Sequence, residues 1–330
     1  MKLPDISKPK RDRAAEDQAS KGRFVEKLAN LRQMRDAGEL SEDLIQVAQA
    51  MILCGLPYAP TKETRIIRRA RLGDGSTVQV VFSTGLSAEM PYGSDRTLLY
   101  WMIDKAIKSN SAFVSWETAA EFLRDVGLVN SGKNRADLKA RYRRLSGLTI
   151  GIERTRAGSE QSLLAPLIEE SRLPSSVDIR EDSAGNRLLP LDKFVFGFKL
   201  NDRIFRDVLS HHVPVPLKLL QETKRKSQLQ DYMLFLYWRC YAAQSDTLIP
   251  WKNIREQLWQ GDSNLRRVKG RFAEAIMALK VLWPQMNAEA RSMGLWIAPP
   301  AKGAHFLVER QHVRRLPTKN TPRKTIPGTA

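Results

Sequence analysis

Lys133, Arg135, Lys139, Arg143 and Arg144 fall within residues 132–144, a stretch with six basic side chains and one acidic one. Arg266, Arg267 and Lys269 fall within residues 263–271, which hold four basic side chains and none acidic. Cations at that density suit one kind of chemistry above all, the binding of polyanions and their phosphates. Projected on the helical repeat, the first stretch splits into an inward row, Leu138, Tyr142, Leu145 and Leu148, and an outward row, Lys133, Ala136, Lys139, Ala140, Arg143 and Arg144. Small residues between long cations let a helix backbone approach a major groove while the cations reach phosphates and guanine edges. The second stretch repeats the pattern. Val268, Phe272, Leu279 and Leu282 face inward, Arg266, Lys269, Gly270 and Ala273 face outward, and Arg267 flanks them. Lys133 and Arg135 sit in the first turn of one helix and the cations of the other crowd its N-terminal half, where the helix dipole disfavours each by roughly a few tenths of a kcal/mol. Either helix alone could be an ordinary solvated face; two with the same pattern point to an anion outside them.

The whole chain supports this assignment. Its 330 residues carry a formal charge of +18, with a sequence pI near 10. Residues 1–13 hold five basic and two acidic side chains and residues 314–330 hold five basic and none, so the tails take part of the excess and the two helical stretches most of the rest. Nucleic acid therefore leads the list of partners. No apolar run is long enough to span a bilayer, no signal-peptide core follows Met1, and no exposed apolar helix face suits a membrane surface, so a cytoplasmic, membrane-free protein is expected. Cys54 and Cys240 stand far apart in apolar surroundings and read as buried thiols.

Enzymatic patterns fail one after another. Gly127-Leu-Val-Asn-Ser-Gly-Lys133-Asn134 departs from a phosphate-binding loop at Asn134, where a hydroxyl should bind magnesium, and a helical pattern precedes it where a strand is required. His211 and His212 are adjacent, so their side chains diverge and cannot share a metal as rolling-circle nucleases require. No tyrosine follows Tyr241, which argues against a tyrosine recombinase. Glu169, Glu170, Asp178, Glu181 and Asp182 read as a solvated linker. The expectation is a binding protein with no catalytic residue, cofactor or metal.

The elements that must position the basic helices read as α+β, mainly helical with small hairpins. A basic arm over 1–23 is expected to be disordered or loosely helical. Helical patterns follow at Phe24, Leu28, Leu31 and Met34 and over Leu44–Leu53, fit to cap the core or form a dimer contact. Two strands, Thr64–Leu72 and Thr77–Thr84, flank Gly73-Asp74-Gly75-Ser76, and the first carries Arg65, Arg68, Arg69 and Arg71, either a basic hairpin beside DNA or a solvated edge. Helices Arg96–Ser109, Trp116–Val126 and Lys133–Ser146 precede strands Thr149–Thr155 and Lys193–Leu200. Helices Gln228–Ala243, Trp251–Trp259 and 264–283 precede strands Leu295–Ala298 and His305–Glu309. Three helices and a hairpin, twice, give two tandem winged-helix domains, 24–200 and 201–313, with a disordered basic tail over 314–330. Arg154 and Arg156 would sit on the first wing, Lys302 and His305 on the second, within reach of a phosphate backbone.

Four segments carry a family likeness: Cys54-Gly-Leu-Pro-Tyr-Ala-Pro-Thr-Lys62, Met90-Pro-Tyr-Gly-Ser-Asp-Arg-Thr-Leu-Leu-Tyr-Trp101, Phe122-Leu-Arg-Asp-Val-Gly-Leu128, and Val213-Pro-Val-Pro-Leu217 before Leu236-Tyr-Trp-Arg239. In order and spacing, from about residue 50 to 310, the chain resembles the RepA-type plasmid replication initiators, in particular the group with a plasmid-encoded RepA C-terminal region. The resemblance implies binding to repeated double-stranded sequences at a plasmid origin, local strand opening, recruitment of host initiator or helicase proteins, and a monomer–dimer switch that leaves a homodimer open. A winged-helix transcriptional repressor of a plasmid or phage promoter is the alternative, and a nucleic-acid-processing enzyme a more distant one.

Overall fold

The computed structural model describes residues 13–41, 43–85, 88–116, 123–124, 128–172, 180–181, 187–188, 196–224, 226–258 and 264–300. In chain order the elements are α1 (Arg13–Asp36), β1 (Leu44–Ala48), α2 (Gln49–Leu53), β2 (Arg65–Arg71), β3 (Thr77–Thr84), α3 (Asp95–Ser109), β4 (Phe113–Trp116) and α4 (Gly132–Ser146). They continue as β5 (Leu148–Arg156), β6 (Ser159–Pro166), β7 (Ile168–Arg172), the short pair β8 (Arg180–Glu181) and β9 (Arg187–Leu188), β10 (Phe196–Leu200), α5 (Asp202–Ser210), β11 (His212–Pro216) and α6 (Leu217–Thr223). The chain then forms α7 (Ser227–Ala242), β12 (Thr247–Pro250), α8 (Trp251–Leu258), α9 (Leu265–Leu282), β13 (Ala288–Ala290) and β14 (Gly294–Ile297). The class is α+β, with more sheet than small hairpins alone.

Two stretches share one strand connectivity. In the first, α3, β4, α4, β7 and β10 enclose an antiparallel sheet ordered β4-β10-β7; in the second, α7, β12, α8, α9, β13 and β14 enclose one ordered β12-β14-β13. In both, the first strand pairs with the last. The units differ by an insertion. Between α4 and β7 the chain makes the β5–β6 hairpin, which joins β2 and β3 in a four-stranded antiparallel sheet ordered β2-β3-β5-β6.

Alternation explains that sheet. Ile66, Arg68 and Ala70 of β2 and Val78, Val80 and Phe82 of β3 point inward, Ile67 opposite Val81 faces out, and α8 packs against β2. The turn needs Gly75, whose φ is +78°, and Asp74 accepts the Ser76 backbone N–H at 3.0 Å. Arg68, expected with its neighbours on a basic outer face, is buried because its position falls on the inward side of the pleat.

The residues before the first unit bind the two units together. The Leu44–Leu53 run, expected as one helix, divides into β1 and α2 because β1 pairs with β11, the strand leading into the second unit; Leu44 meets Pro216 and Ala48 meets His212. Pro214 and Pro216 fit a two-stranded ribbon, where a missing N–H costs no interior ladder. α1 begins at Arg13, within the segment expected as an arm, and packs on α9 and α6 through buried Leu28 and Leu31; Arg35 donates to the Leu282 carbonyl at the end of α9. One continuous hydrophobic cluster runs from Leu28 to Ile297. Trp116, expected to open a helix, ends β4 instead, paired with Phe196 of β10.

Candidate nucleic-acid interface

α4 starts at a genuine cap. Ser131 is extended and its side-chain oxygen accepts the Asn134 backbone N–H at 3.2 Å, while the Asn134 amide donates to the Val129 carbonyl at 2.8 Å. Leu138, Tyr142 and Leu145 are buried, as projected. Lys133, Ala136, Ala140 and Arg143 are exposed, and Arg135 and Lys139 are half-buried at the flanks of that face. Arg135 donates its Nε–H to Asn130 Oδ1 at 2.8 Å, which places a cation in the first turn despite the helix dipole. Asp137 interrupts the basic surface and pairs with Arg141 at 2.5 Å.

Arg144 is a correction. Expected on the outward row, it forms a two-pronged ion pair with buried Asp95, Nε to Oδ2 at 2.7 Å and a terminal nitrogen to Oδ1 at 2.9 Å, and its guanidinium lies 4.8 Å from the centre of the Tyr92 ring. The helix packs with α3 on that side, so Arg144 looks into the protein while Arg143 beside it stays exposed. Beside it, a Cβ on Gly147 would stand 2.1 Å from that of Ala88, so only glycine admits this approach.

Arg154 and Arg156 are corrected too. β5 belongs to the four-stranded sheet rather than to a wing, paired with β3 on one side and β6 on the other. Arg154 points inward and forms an ion pair with Asp207 of α5, 2.5 and 3.2 Å, which His211 approaches at 3.4 Å. Burial pushes the Asp207 carboxyl up, but His211 and Arg154 hold it below the ordinary carboxylate value. Arg156 is exposed at the strand end, 3.8 Å from Asp74.

α9 has its own cap, Asn264, whose side chain accepts the Arg267 backbone N–H at 3.2 Å. Val268, Phe272, Ala275, Ile276, Leu279 and Leu282 are buried. Arg266, Arg267, Gly270 and Arg271 are exposed, and Lys269 and Ala273 are half-buried beside them. A Cβ on Gly270 would meet nothing within 4 Å, so packing does not demand glycine there. The hairpin after α9 pairs β13 with β14, one strand earlier than expected, and puts Met293 at its tip, 75% exposed. Lys302, His305 and the expected strand His305–Glu309 lie outside the described residues, as does the 314–330 tail. Most of the Trp116–Val126 helix lies outside them as well; Leu123 and Arg124 are helical.

Two of the segments that carry the family likeness, 54–62 and 90–101, meet α7 at one place that sequence reasoning missed. Arg96 and Asp231, 1% and 2% exposed, form an ion pair between α3 and α7; Arg96 also donates to the Leu56, Pro57 and Gly93 carbonyls, each at 2.8 Å, with the Tyr58 ring centre 4.6 Å away. Burial pushes the Asp231 carboxyl up against the pull of Arg96. A buried charge needs a buried partner, and an arginine within an apolar helix pattern was the available signal.

Among the described residues, no group of three or more His, Cys, Asp or Glu side chains is arranged to hold a metal ion, and no helix is long and apolar enough to cross a membrane. Cys54 and Cys240 are free and buried, and burial pushes both thiols up to about 12.

No protein-family profile matches the chain, and no curated protein matches its sequence. Two solved structures of domains 2 and 3 of RctB are similar at 10% identity. One, of a selenomethionine derivative, covers 71% of this chain and 85% of its own with a TM-score of 0.44; the other covers 77% and 98% with a TM-score of 0.42. Superposition at that level identifies no function. The likeness to the RepA-type initiators stands on the four segments alone.

Proposed function

We propose that this chain is a sequence-specific double-stranded-DNA-binding protein whose two three-stranded units are winged helices, with α4 and α9 laid in successive stretches of major groove. It is a binding protein rather than an enzyme. The observation that carries the reading is the repeated placement of a capped, basic helix ahead of the returning strands, with the β5–β6 hairpin inserted between them in the first unit, in units whose first strand pairs with the last. Lys133, Arg135, Lys139 and Arg143 serve the first contact, and Arg266, Arg267 and Lys269 the second. Arg144 and Arg154 serve the fold.

Initiation of plasmid replication, with host replication proteins as partners and a homodimer among its states, is the role that the segment resemblance favours. A repressor would share every DNA contact, so the encoding replicon must be supplied with the protein in trans beside its own direct repeats. Replication supports the initiator; repression of its promoter without replication supports the repressor.

Gel shifts test the contacts. Lys139→Ala and Arg266→Ala should each weaken specific binding by roughly 1–3 kcal/mol if the side chain reads a base, or reduce the salt slope by about one if it meets a phosphate. Unchanged affinity and salt dependence in both would remove α4 and α9 from the DNA.

A further inference from the structure

A line of side-chain contacts runs from α4 to α9 through the interior. It begins at Arg144, whose fork holds Asp95 at the start of α3, where Asp95 also accepts the Tyr92 backbone N–H at 3.0 Å. The next residue, Arg96, points the other way and pairs with Asp231 of α7. Tyr100 donates its hydroxyl to the other oxygen of Asp231 at 3.4 Å. The residue after Asp231, Tyr232, stacks on Phe272 of α9, ring centres 4.1 Å apart and planes 18° apart, and Tyr58 meets Tyr232 edge-on at 6.3 Å. Two neighbouring pairs, Asp95-Arg96 and Asp231-Tyr232, thus relay contact from one basic helix to the other. The line is closed to slack. A Cβ on Gly55 would stand 2.6 Å from Asp231 Oδ2, and Tyr232 and Phe272 are fully enclosed.

We propose that this line fixes the separation and mutual rotation of α4 and α9, so that the protein selects DNA by the spacing between two contacted segments as well as by their sequence. The proposal rests on the DNA-binding reading of the two helices. An apolar seam alone would hold the units together yet tolerate sliding. A guanidinium aimed at a carboxylate and at the Gly93, Leu56, Pro57 and Ser227 carbonyls has one orientation. Because the line joins secondary elements that are themselves packed, a change at one end has discrete consequences at the other. Asp95, Arg96, Asp231 and Tyr232 are positioning residues in this scheme; none is offered as touching DNA.

The test begins with duplexes that the full chain enriches from a random pool. The best duplex is resynthesised with one or two base pairs inserted between its two protected segments. The wild type should lose at least about 100-fold in affinity, because simultaneous engagement fails. Asp231→Asn keeps the side-chain shape and removes the charge that Arg96 answers; Arg144→Gln breaks the opposite end, which is partly exposed and keeps the experiment alive if the first variant does not fold. Each should lose less than about threefold on insertion, with binding to a single segment unchanged. A second measurement needs no DNA. Spin labels at Ala140→Cys and Lys280→Cys, with Cys54 and Cys240 shielded by burial, should give one narrow distance in the parent and a broadened one in either variant. Unchanged spacing penalties or unchanged distance distributions in both variants overturn the proposal. Broadened distances with no duplex enriched by the parent show instead that the line orients the units but the DNA-binding reading is wrong, and the spacing role goes with it.

Discussion

α4 and α9 present the same chemistry to solvent and are held by opposite means. α4 buries Leu138, Tyr142 and Leu145 and is secured at its C-terminal turn by the Arg144–Asp95 pair. α9 buries six apolar side chains, places Phe272 among Tyr232, Phe235 and Trp251, and carries α1 along its length. Ion pairs within the second unit, Arg271–Glu274 and Arg291–Glu289, are exposed at both partners and add little. The contrast follows from the insertion: β5 and β6 leave α4 for another sheet, so part of the apolar cover that α9 receives is replaced, for α4, by polar contacts.

The largest expected effect separates these modes. Phe272→Ala removes a fully buried ring from an aromatic cluster and should cost about 3–5 kcal/mol in urea unfolding. Arg144→Gln strands one charge-assisted pair whose arginine still sees water, and should cost about 1–3 kcal/mol. Equal losses would mean that α4 is held as firmly as α9 and the contrast is wrong.

Acid should act on the first unit's side. Asp207 titrates lower in the folded protein than in the unfolded chain, so its contribution is complete above the ordinary carboxylate value near about 4 and is lost as pH falls through that value toward the lower folded one. Wild type should therefore be more stable than Asp207→Asn at neutral pH, and the gap should shrink when unfolding is repeated below about pH 4. A gap independent of pH would show that the Arg154–Asp207 pair does not tie β5 to α5 energetically.

What could be read from residues, and what could not, divides along the same physical line. α7, α9, β2 and β3 have apolar residues at their own period, and their limits agree with the sequence reading within a few residues. β6 and β7, Ser-Glu-Gln-Ser-Leu-Leu-Ala-Pro and Ile-Glu-Glu-Ser-Arg, are mostly exposed, so their strand character comes from pairing with β5 and β10, which a single sequence does not display. β1 looked helical because five consecutive residues of α2 are buried and the apolar run continues through both; β11 decides the boundary. At the site, the helical projection correctly separated the Lys133–Arg143 face from the Leu138–Leu145 face. It failed at Arg144, because periodicity gives a direction from the helix axis and not what waits there. Asp95, within the Met90–Trp101 segment, carries no sequence signal that marks it as that partner.

The smallest effect is the sharpest on function. Glycine inside an exposed helix costs roughly 0.5–1 kcal/mol relative to alanine, and the open space around Gly270 means that no packing constraint offsets this. Its other neighbours on the surface are Arg266, Arg267 and Arg271, one helical turn before it and beside it. Glycine there leaves the backbone bare between cations, which suits close approach to a groove floor. Gly270→Ala should therefore raise unfolding stability by roughly 0.5–1 kcal/mol while weakening specific DNA binding, the two moving in opposite directions. With Val268 aligned on Leu138 and Phe272 on Tyr142, the corresponding place on α4 holds Ala140, so the helices differ in how near they come, and Ala140→Gly should lower stability without a comparable gain in affinity. If Gly270→Ala gains stability and binds DNA unchanged, α9 approaches its partner no more closely than α4 does, and the glycine has no part in recognition.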